Sequence, residues 1–135
     1  MKTNRASENV RPFGIAWVIL APLIVLAAAI SKIESDATYY AQFAIFSLLG
    51  SVALICGVAA IMRLTWGYFG VMALSWLATL YFFGAAVAGM VMVTIHQGTF
   101  TVTTLGIGAL MGITGVPFLL MAMHLTKLRN LGNDA

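Results

Sequence analysis

A run of sixty-three residues between Arg63 and Lys127 contains no Asp, Glu, Lys or Arg. As a single helix this run would be about 95 Å long, whereas the hydrocarbon core of a bilayer is about 30 Å thick. The run is therefore too long for one membrane span, and it has to fold back on itself. A water-soluble domain rarely contains such a run, because its surface needs charged side chains.

The composition of the whole chain points the same way. Of the 135 residues, 61% are hydrophobic and 8% are charged, and the mean hydropathy is +1.00. Ordinary soluble domains carry about 25% charged residues. Because so few charged side chains cannot cover a core of this size, we expect lipid to contact the outer surface. The composition predicts an all-α membrane protein, whose partner is the lipid bilayer.

Four membrane spans are predicted from the apolar segments and the polar residues between them. They are residues 13–30, 39–62, 65–95 and 104–125, with short cytoplasmic tails at 1–12 and 126–135. Pro12 opens the first span, where the missing N–H of proline costs least. The turn inside the uncharged run is placed at residues 96–99, its only polar cluster that contains glycine. The expected fold is a single transmembrane domain, an up-down-up-down bundle of four helices.

The basic residues predict the orientation of the spans, since Lys and Arg near span ends are retained in the cytoplasm. Six of them fall on one side of the predicted bundle and only Lys32 falls on the other. The six are Lys2, Arg5, Arg11, Arg63, Lys127 and Arg129. Both termini are therefore predicted in the cytoplasm, most simply that of a bacterium, with the loops at 31–38 and 96–103 outside. Nucleic acid is not expected as a partner, because the basic residues form no patch.

A cleaved signal peptide is the alternative for the first segment. It has a basic start and a small-residue run, Ala27-Ala28-Ala29, that resembles a cleavage site. Its apolar stretch of 18 residues exceeds the usual length of about 7 to 15 residues, so retention as a span is the preferred interpretation.

Small residues recur at helical spacing in three spans, and they allow the close backbone approach that joins helices in lipid. The residues are Thr104, Gly108, Gly112 and Gly115 in the fourth span, Ala85 and Gly89 beside Gly84 and Ala88 in the third, and Ala53, Gly57 and Ala60 in the second. Gly108 and Gly112 form a GxxxG pair. We expect these faces to pack spans of one bundle together. The second interpretation is that the glycine face joins two protomers or docks another membrane protein.

Two further patterns concern the helices themselves. Pro22 and Pro117 lie inside the first and fourth spans, where each removes a backbone hydrogen bond and is expected to bend its helix. These bends are either static or act as hinges. Gly50 and Gly57 share their seven-residue spacing with Gly108 and Gly115. We attribute this similarity to the glycine-rich composition of the spans and not to an internal duplication of the chain.

The spans offer little chemistry, because no charged residue lies within any of them. Carriers and ion pathways that depend on proton coupling usually need a buried carboxylate, Lys or Arg. The hydroxyl groups are expected to bond to the helix backbone or to a neighbouring helix. A path for a neutral solute along Ser75, Thr79 and Tyr81 is the alternative.

The two histidines and two methionines suggest a metal only weakly. His96 and His124 are predicted at opposite ends of one span, about 30 Å apart, which excludes a shared haem or metal ion within one protomer. Met92 with His96, and Met121 with His124, are spaced so that each pair shares a helix face and offers soft ligands to Cu(I). Methionine as an apolar filler is the preferred interpretation, and no cofactor is predicted.

No catalytic motif is present, and nothing in the sequence pairs Cys56 with a base that would activate it. We therefore expect no enzymatic activity. The function predicted is a non-catalytic accessory, assembly or scaffold subunit that works through helix contacts. The alternative is a small homo-oligomeric transporter or channel for a neutral or lipophilic solute, and a quinone-associated role is a weaker one.

Overall fold

The structure is a computed structural model that describes residues 10–30 and 36–133. Its elements are α1 (Arg11–Ile30), α2 (Asp36–Ile61), α3 (Thr65–Gln97) and α4 (Val102–Asn133). All four helices are long and apolar enough to cross a membrane. The prediction of an all-helical chain with four candidate spans is confirmed. Three of the basic residues that predict the orientation lie outside the described residues, namely Lys2, Arg5 and Lys32. Residues 31–35 of the predicted loop 31–38 lie outside them as well.

The helix bounds differ most from the predicted spans at the end of α4. The predicted span stops at Leu125, whereas the helix continues to Asn133. Lys127 and Arg129 mark where the apolar segment ends, but both are good helix formers, so the backbone does not break there. Pro22 and Pro117 lie within continuous helices, and both are exposed. That each proline bends its helix, as a static bend or as a hinge, stays a prediction.

The contacts of the described chain fall into two compact units. The first unit holds α1, α2 and the first residues of α3, as far as Val71. The second unit, Met72–Leu131, holds most of α3 and α4. Each unit has its own packing.

In the first unit, α1 and α2 pack antiparallel through small residues. A Cβ atom added to Gly14 would lie 2.8 Å from the carbonyl oxygen of Gly57, and one added to Gly57 would lie 2.9 Å from that of Gly14. One added to Gly50 would lie 3.1 Å from the carbonyl oxygen of Ala21. The contacts are seven residues apart on both helices, which is the repeat of left-handed helix packing. The backbones approach closely because the facing residues are glycine or alanine.

The corner between α2 and α3 is a Schellman cap. The N–H of Arg63 donates to the carbonyl of Ala60 at 3.1 Å, and the N–H of Leu64 donates to that of Ala59 at 2.9 Å. Arg63 has a φ of 62°, in the left-handed region that this cap requires and that glycine usually occupies. Past the corner, a Cβ added to Gly70 would lie 2.5 Å from Cys56 Sγ. The start of α3 therefore lies directly against α2.

In the second unit, α3 and α4 also run antiparallel. The rings of Phe82 and Phe118 stack with centroids 5.4 Å apart. Trp76 Nε1 donates to Thr126 Oγ1 at 3.2 Å, near the end of α4. A Cβ added to Gly89 would lie 3.3 Å from the side chain of Ile107, near the start of α4. These contacts place the two helices side by side between residues 76 and 89 of α3 and between residues 107 and 126 of α4.

The turn between α3 and α4 overlaps the predicted turn, residues 96–99, at Gly98 and Thr99, whereas Gln97 still belongs to α3. Gly98 has a φ of 68°, which allows the chain to leave α3 after Gln97. Thr101 Oγ1 donates to Gln97 Oε1 at 2.7 Å, and the N–H of Thr101 donates to Thr104 Oγ1 at 3.4 Å. The bond from the Thr101 N–H to Thr104 is one of the two bonds of a capping box, in which the N3 side chain accepts from the N-cap N–H. Threonine takes the place of the usual Glu or Gln. Thr104, predicted on the small-residue face, is fully buried at this cap.

Candidate functional site

The small-residue face of α4 is divided between packed and open positions. Gly108 and Gly115 are buried against α3. A Cβ added to Gly108 would clash with the side chain of Met90, and one added to Gly115 would lie 3.0 Å from Phe82 Cβ. A Cβ added to Gly112 would meet nothing within 4 Å. The two glycines of the GxxxG pair therefore have different surroundings.

The small residues of α3 are divided in the same way. Gly89 faces Ile107, and Ala85 is half-buried. Gly84 and Ala88 are exposed, and a Cβ added to Gly84 would meet nothing within 4 Å. Gly84 and Ala88 thus form an exposed pair of small residues, four apart, which we call the open α3 face.

On α2 the named small residues are all buried. Ala53 has no exposed surface, Ala60 is 2% exposed, and Gly57 packs against Gly14 of α1. The sequence interpretation did not assign Gly14, Gly50, Gly67 or Gly70 to any contact. The contact between α1 and α2 could have been predicted from a shared spacing of small residues. Gly50 and Gly57 are seven residues apart on α2, and Gly14, Ala21 and Ala28 repeat that spacing on α1.

Most described hydroxyl groups of the spans have a partner inside the protein. Those of Ser51, Thr94 and Thr114 donate to the backbone carbonyl four residues earlier. Ser75 Oγ lies 3.1 Å from Met121 Sδ on the facing helix. Ser47 Oγ is buried without a partner among the described residues. The protons of these paired hydroxyls are therefore donated within the protein, as is usual for Ser and Thr in membrane helices.

Ser75, Thr79 and Tyr81 do not share a surface. Ser75 has no exposed area and Thr79 is 5% exposed, whereas Tyr81 is 59% exposed. Thr79 Oγ1 donates to the carbonyl of Ser75 at 2.7 Å. The described structure therefore gives these three residues no common path along which a solute would contact all of them.

The methionine and histidine pairs lie in different surroundings. Met92 is 72% exposed, and His96 is exposed beside it at the end of α3. Met121 is half-buried with its sulfur at Ser75 Oγ, and His124 is exposed. Among the described residues there is no group of three or more His, Cys, Asp or Glu side chains that would hold a metal ion. The Cu(I) hypothesis gains no further ligand from the structure.

Large apolar side chains cover the exposed faces of all four helices. Ile30, Ile95 and Ile113 are each more than 70% exposed. Water would make such a surface unstable, whereas hydrocarbon accommodates it. The surface fits a multi-pass membrane protein.

Comparisons of the chain with protein-family models, curated proteins and solved structures find no match.

Proposed function

We propose that the four helices cross a bacterial cytoplasmic membrane as an up-down-up-down bundle with both ends in the cytoplasm. The antiparallel contacts of consecutive helices support alternating directions. The six basic residues on one side of the predicted spans, against one on the other, support the orientation.

Cysteine labelling tests this orientation. In a Cys56→Ser background, Thr99→Cys in the α3–α4 turn should react with a membrane-impermeant maleimide in whole cells. Asn130→Cys, at the other end of α4, should react only after lysis. The reverse pattern would contradict the proposed orientation, and equal reaction of both sites in whole cells would contradict a span between them.

We further propose that the protein is a non-catalytic accessory, assembly or scaffold subunit that binds another membrane protein through the open α3 face. The observation that carries this proposal is the empty space at Gly84. Small residues four apart allow a partner helix to approach the backbone closely, and in lipid such approach drives association. Gly108, the glycine that the sequence favours for this role, already packs against Met90.

Co-purification from the native host tests the partner proposal. Tagged protein, extracted in mild detergent after crosslinking, should bring one stoichiometric companion. Gly84→Leu should reduce the companion about tenfold, equivalent to 1.4 kcal/mol, because the added side chain blocks close approach. We expect the chain itself to tolerate Leu, since Gly84 is exposed and a Cβ there meets nothing within 4 Å.

Gly106→Leu is the matched control, because a Cβ there also meets nothing within 4 Å but lies on α4. It should leave the companion in place. Equal loss in both variants, or no loss in either, would contradict the role of the open α3 face. A homo-oligomer that moves solute in liposomes would favour the transporter alternative.

A further inference from the structure

α3 is longer than the hydrocarbon that it is proposed to cross. The helix has 33 residues, Thr65–Gln97, and at a rise of about 1.5 Å per residue it measures about 50 Å. The hydrocarbon core of a bilayer is about 30 Å thick. No Asp, Glu, Lys or Arg lies within α3, so no charge marks a shorter part of it as the span. An upright α3 would therefore leave about 20 Å of helix outside the hydrocarbon.

Both ends of α3 carry exposed apolar side chains. Trp66 and Phe69 are exposed near its start, and Met92 and Ile95 are each more than 70% exposed near its end. Water disfavours such side chains in proportion to their exposed apolar area, whereas hydrocarbon does not. We therefore expect neither end of α3 to project far into water.

Tilt is the way in which a long, straight helix fits a thinner bilayer. Proline is the usual cause of a sharp bend in a helix, and α3 is continuous and contains no proline. A tilt of about 50° reduces the height of α3 along the membrane normal to about 30 Å. The whole helix then lies between the two membrane surfaces.

α4 requires a tilt in the same range. Its first Lys or Arg is Lys127, and from the start of α4 to this residue the helix measures about 37 Å, which a tilt of about 40° fits to the hydrocarbon. Ser75 of α3 faces Met121 of α4, and Trp76 bonds to Thr126. These contacts place Lys127 level with the second or third turn of α3. With helix axes about 9 Å apart, a tilt of about 45° toward α4 brings Lys127 to about the depth at which α3 starts.

We propose that α3 and α4 cross the membrane together at a tilt of about 40 to 50°, and that this tilt follows the thickness of the hydrocarbon. A thicker bilayer accommodates more of α3 and lets the pair stand more upright, whereas a thinner one tilts it further. The pair is thus a conformational element that responds to the chain length of the lipid. This inference rests on the proposed crossing of α3 and α4, and it is independent of the partner that the open α3 face binds.

Depth measurements along α3 test the proposal. The whole protein, in the Cys56→Ser background, carries one nitroxide at a time on one exposed face of α3 and is reconstituted in phosphatidylcholine vesicles. Power saturation with oxygen and with a water-soluble nickel chelate gives the depth of each label. The labelled variants are Trp66→Cys, Leu80→Cys, Val87→Cys and Ile95→Cys.

The depth should change by about 0.9 Å per residue, because a tilted helix advances less along the membrane normal than the 1.5 Å of an upright one. Leu80→Cys should be deepest, and the labels at both ends should lie in hydrocarbon. An upright helix could hold only one of Trp66→Cys and Ile95→Cys there, because the two are about 44 Å apart along α3. That result would overturn the proposal.

A change of lipid tests the response to thickness. The difference in depth between Leu80→Cys and Ile95→Cys should be roughly 1.4-fold larger in dierucoyl than in dimyristoleoyl phosphatidylcholine, in proportion to the hydrocarbon thickness. An equal difference in both lipids would overturn the response. One depth at all four positions would show that α3 does not cross, which would overturn the proposed crossing together with the tilt. A change in co-purified companion would bear only on the partner proposal.

Ala73→Arg provides a second test, since Ala73 is exposed on α3 at about the level of Lys127. The added cation should hold the membrane surface at its own level and shorten the part of α3 in hydrocarbon. The change in depth per residue should then rise about 1.3-fold, because the shorter span stands more upright. Ala73→Leu is the matched control and should leave it unchanged. Equal values for the two variants would overturn the proposal, and the comparison of lipids needs neither variant.

Discussion

Gly67→Ala will destabilise the protein by about 2 to 3 kcal/mol, although it adds one methyl group to a helix. The added Cβ would lie 2.5 Å from the carbonyl carbon of Ala59 and 2.6 Å from Ala59 Cβ, and it would clash with the backbone nitrogen of Ala60. Backbone atoms cannot rotate away as side-chain ends do. The corner between α2 and α3 would therefore have to open. The measurement is the midpoint of unfolding by sodium dodecyl sulfate in mixed micelles, followed by circular dichroism.

Gly84→Ala provides the matched control on the same helix. A Cβ at Gly84 meets nothing within 4 Å, and alanine favours the helix over glycine by roughly 0.5 to 1 kcal/mol. The control variant should thus be as stable as the natural protein or more so. If both variants shifted the midpoint equally, the close approach at the corner would be refuted.

Gly57→Ala will cost about 2 kcal/mol, because it separates α1 from α2 where their backbones approach closely. The new Cβ would lie 2.9 Å from the carbonyl oxygen of Gly14 and 3.2 Å from the backbone nitrogen of Val18. Both neighbours are main-chain atoms, so the helices would have to move apart and lose contact along the seven-residue repeat. The same micelle titration measures the loss.

The comparison for this second prediction is Gly108→Ala. The three atoms nearest to its Cβ would all belong to the side chain of Met90, and methionine has three rotatable bonds with which to move aside. We expect a cost below about 1 kcal/mol. A larger cost for Gly108→Ala than for Gly57→Ala would reverse the ranking and would make the GxxxG pair the main packing contact of the protein.

The helices and the turn between α3 and α4 were predictable, because they depend on the residues of their own segments of the sequence. An uncharged run too long for one span must turn, and the single polar cluster with a glycine placed that turn at Gly98, where the backbone has the positive φ that glycine permits. The end of α4 was not predictable in this way. Lys127 and Arg129 indicate where hydrocarbon ends, but they do not end a helix.

The partners of the glycines could not be predicted, because they depend on a second helix. Gly112 shows the reason. A step of four residues turns about 40° around a helix of 3.6 residues per turn, so Gly112 lies about 80° from Thr104. Gly115 follows by a step of three and returns to the buried side. Spacing alone therefore placed Gly112 on a shared face, whereas in the structure it lies at the edge of that face.

Arg63 is subject to two requirements that few amino acids meet together. The left-handed backbone at the cap disfavours residues with a Cβ by roughly 1 to 2 kcal/mol, and glycine would avoid that penalty. In the orientation that we propose, the positive charge at this corner helps to hold it in the cytoplasm, and glycine would remove that charge. A change to glycine would therefore ease the backbone and weaken the proposed topology at the same position.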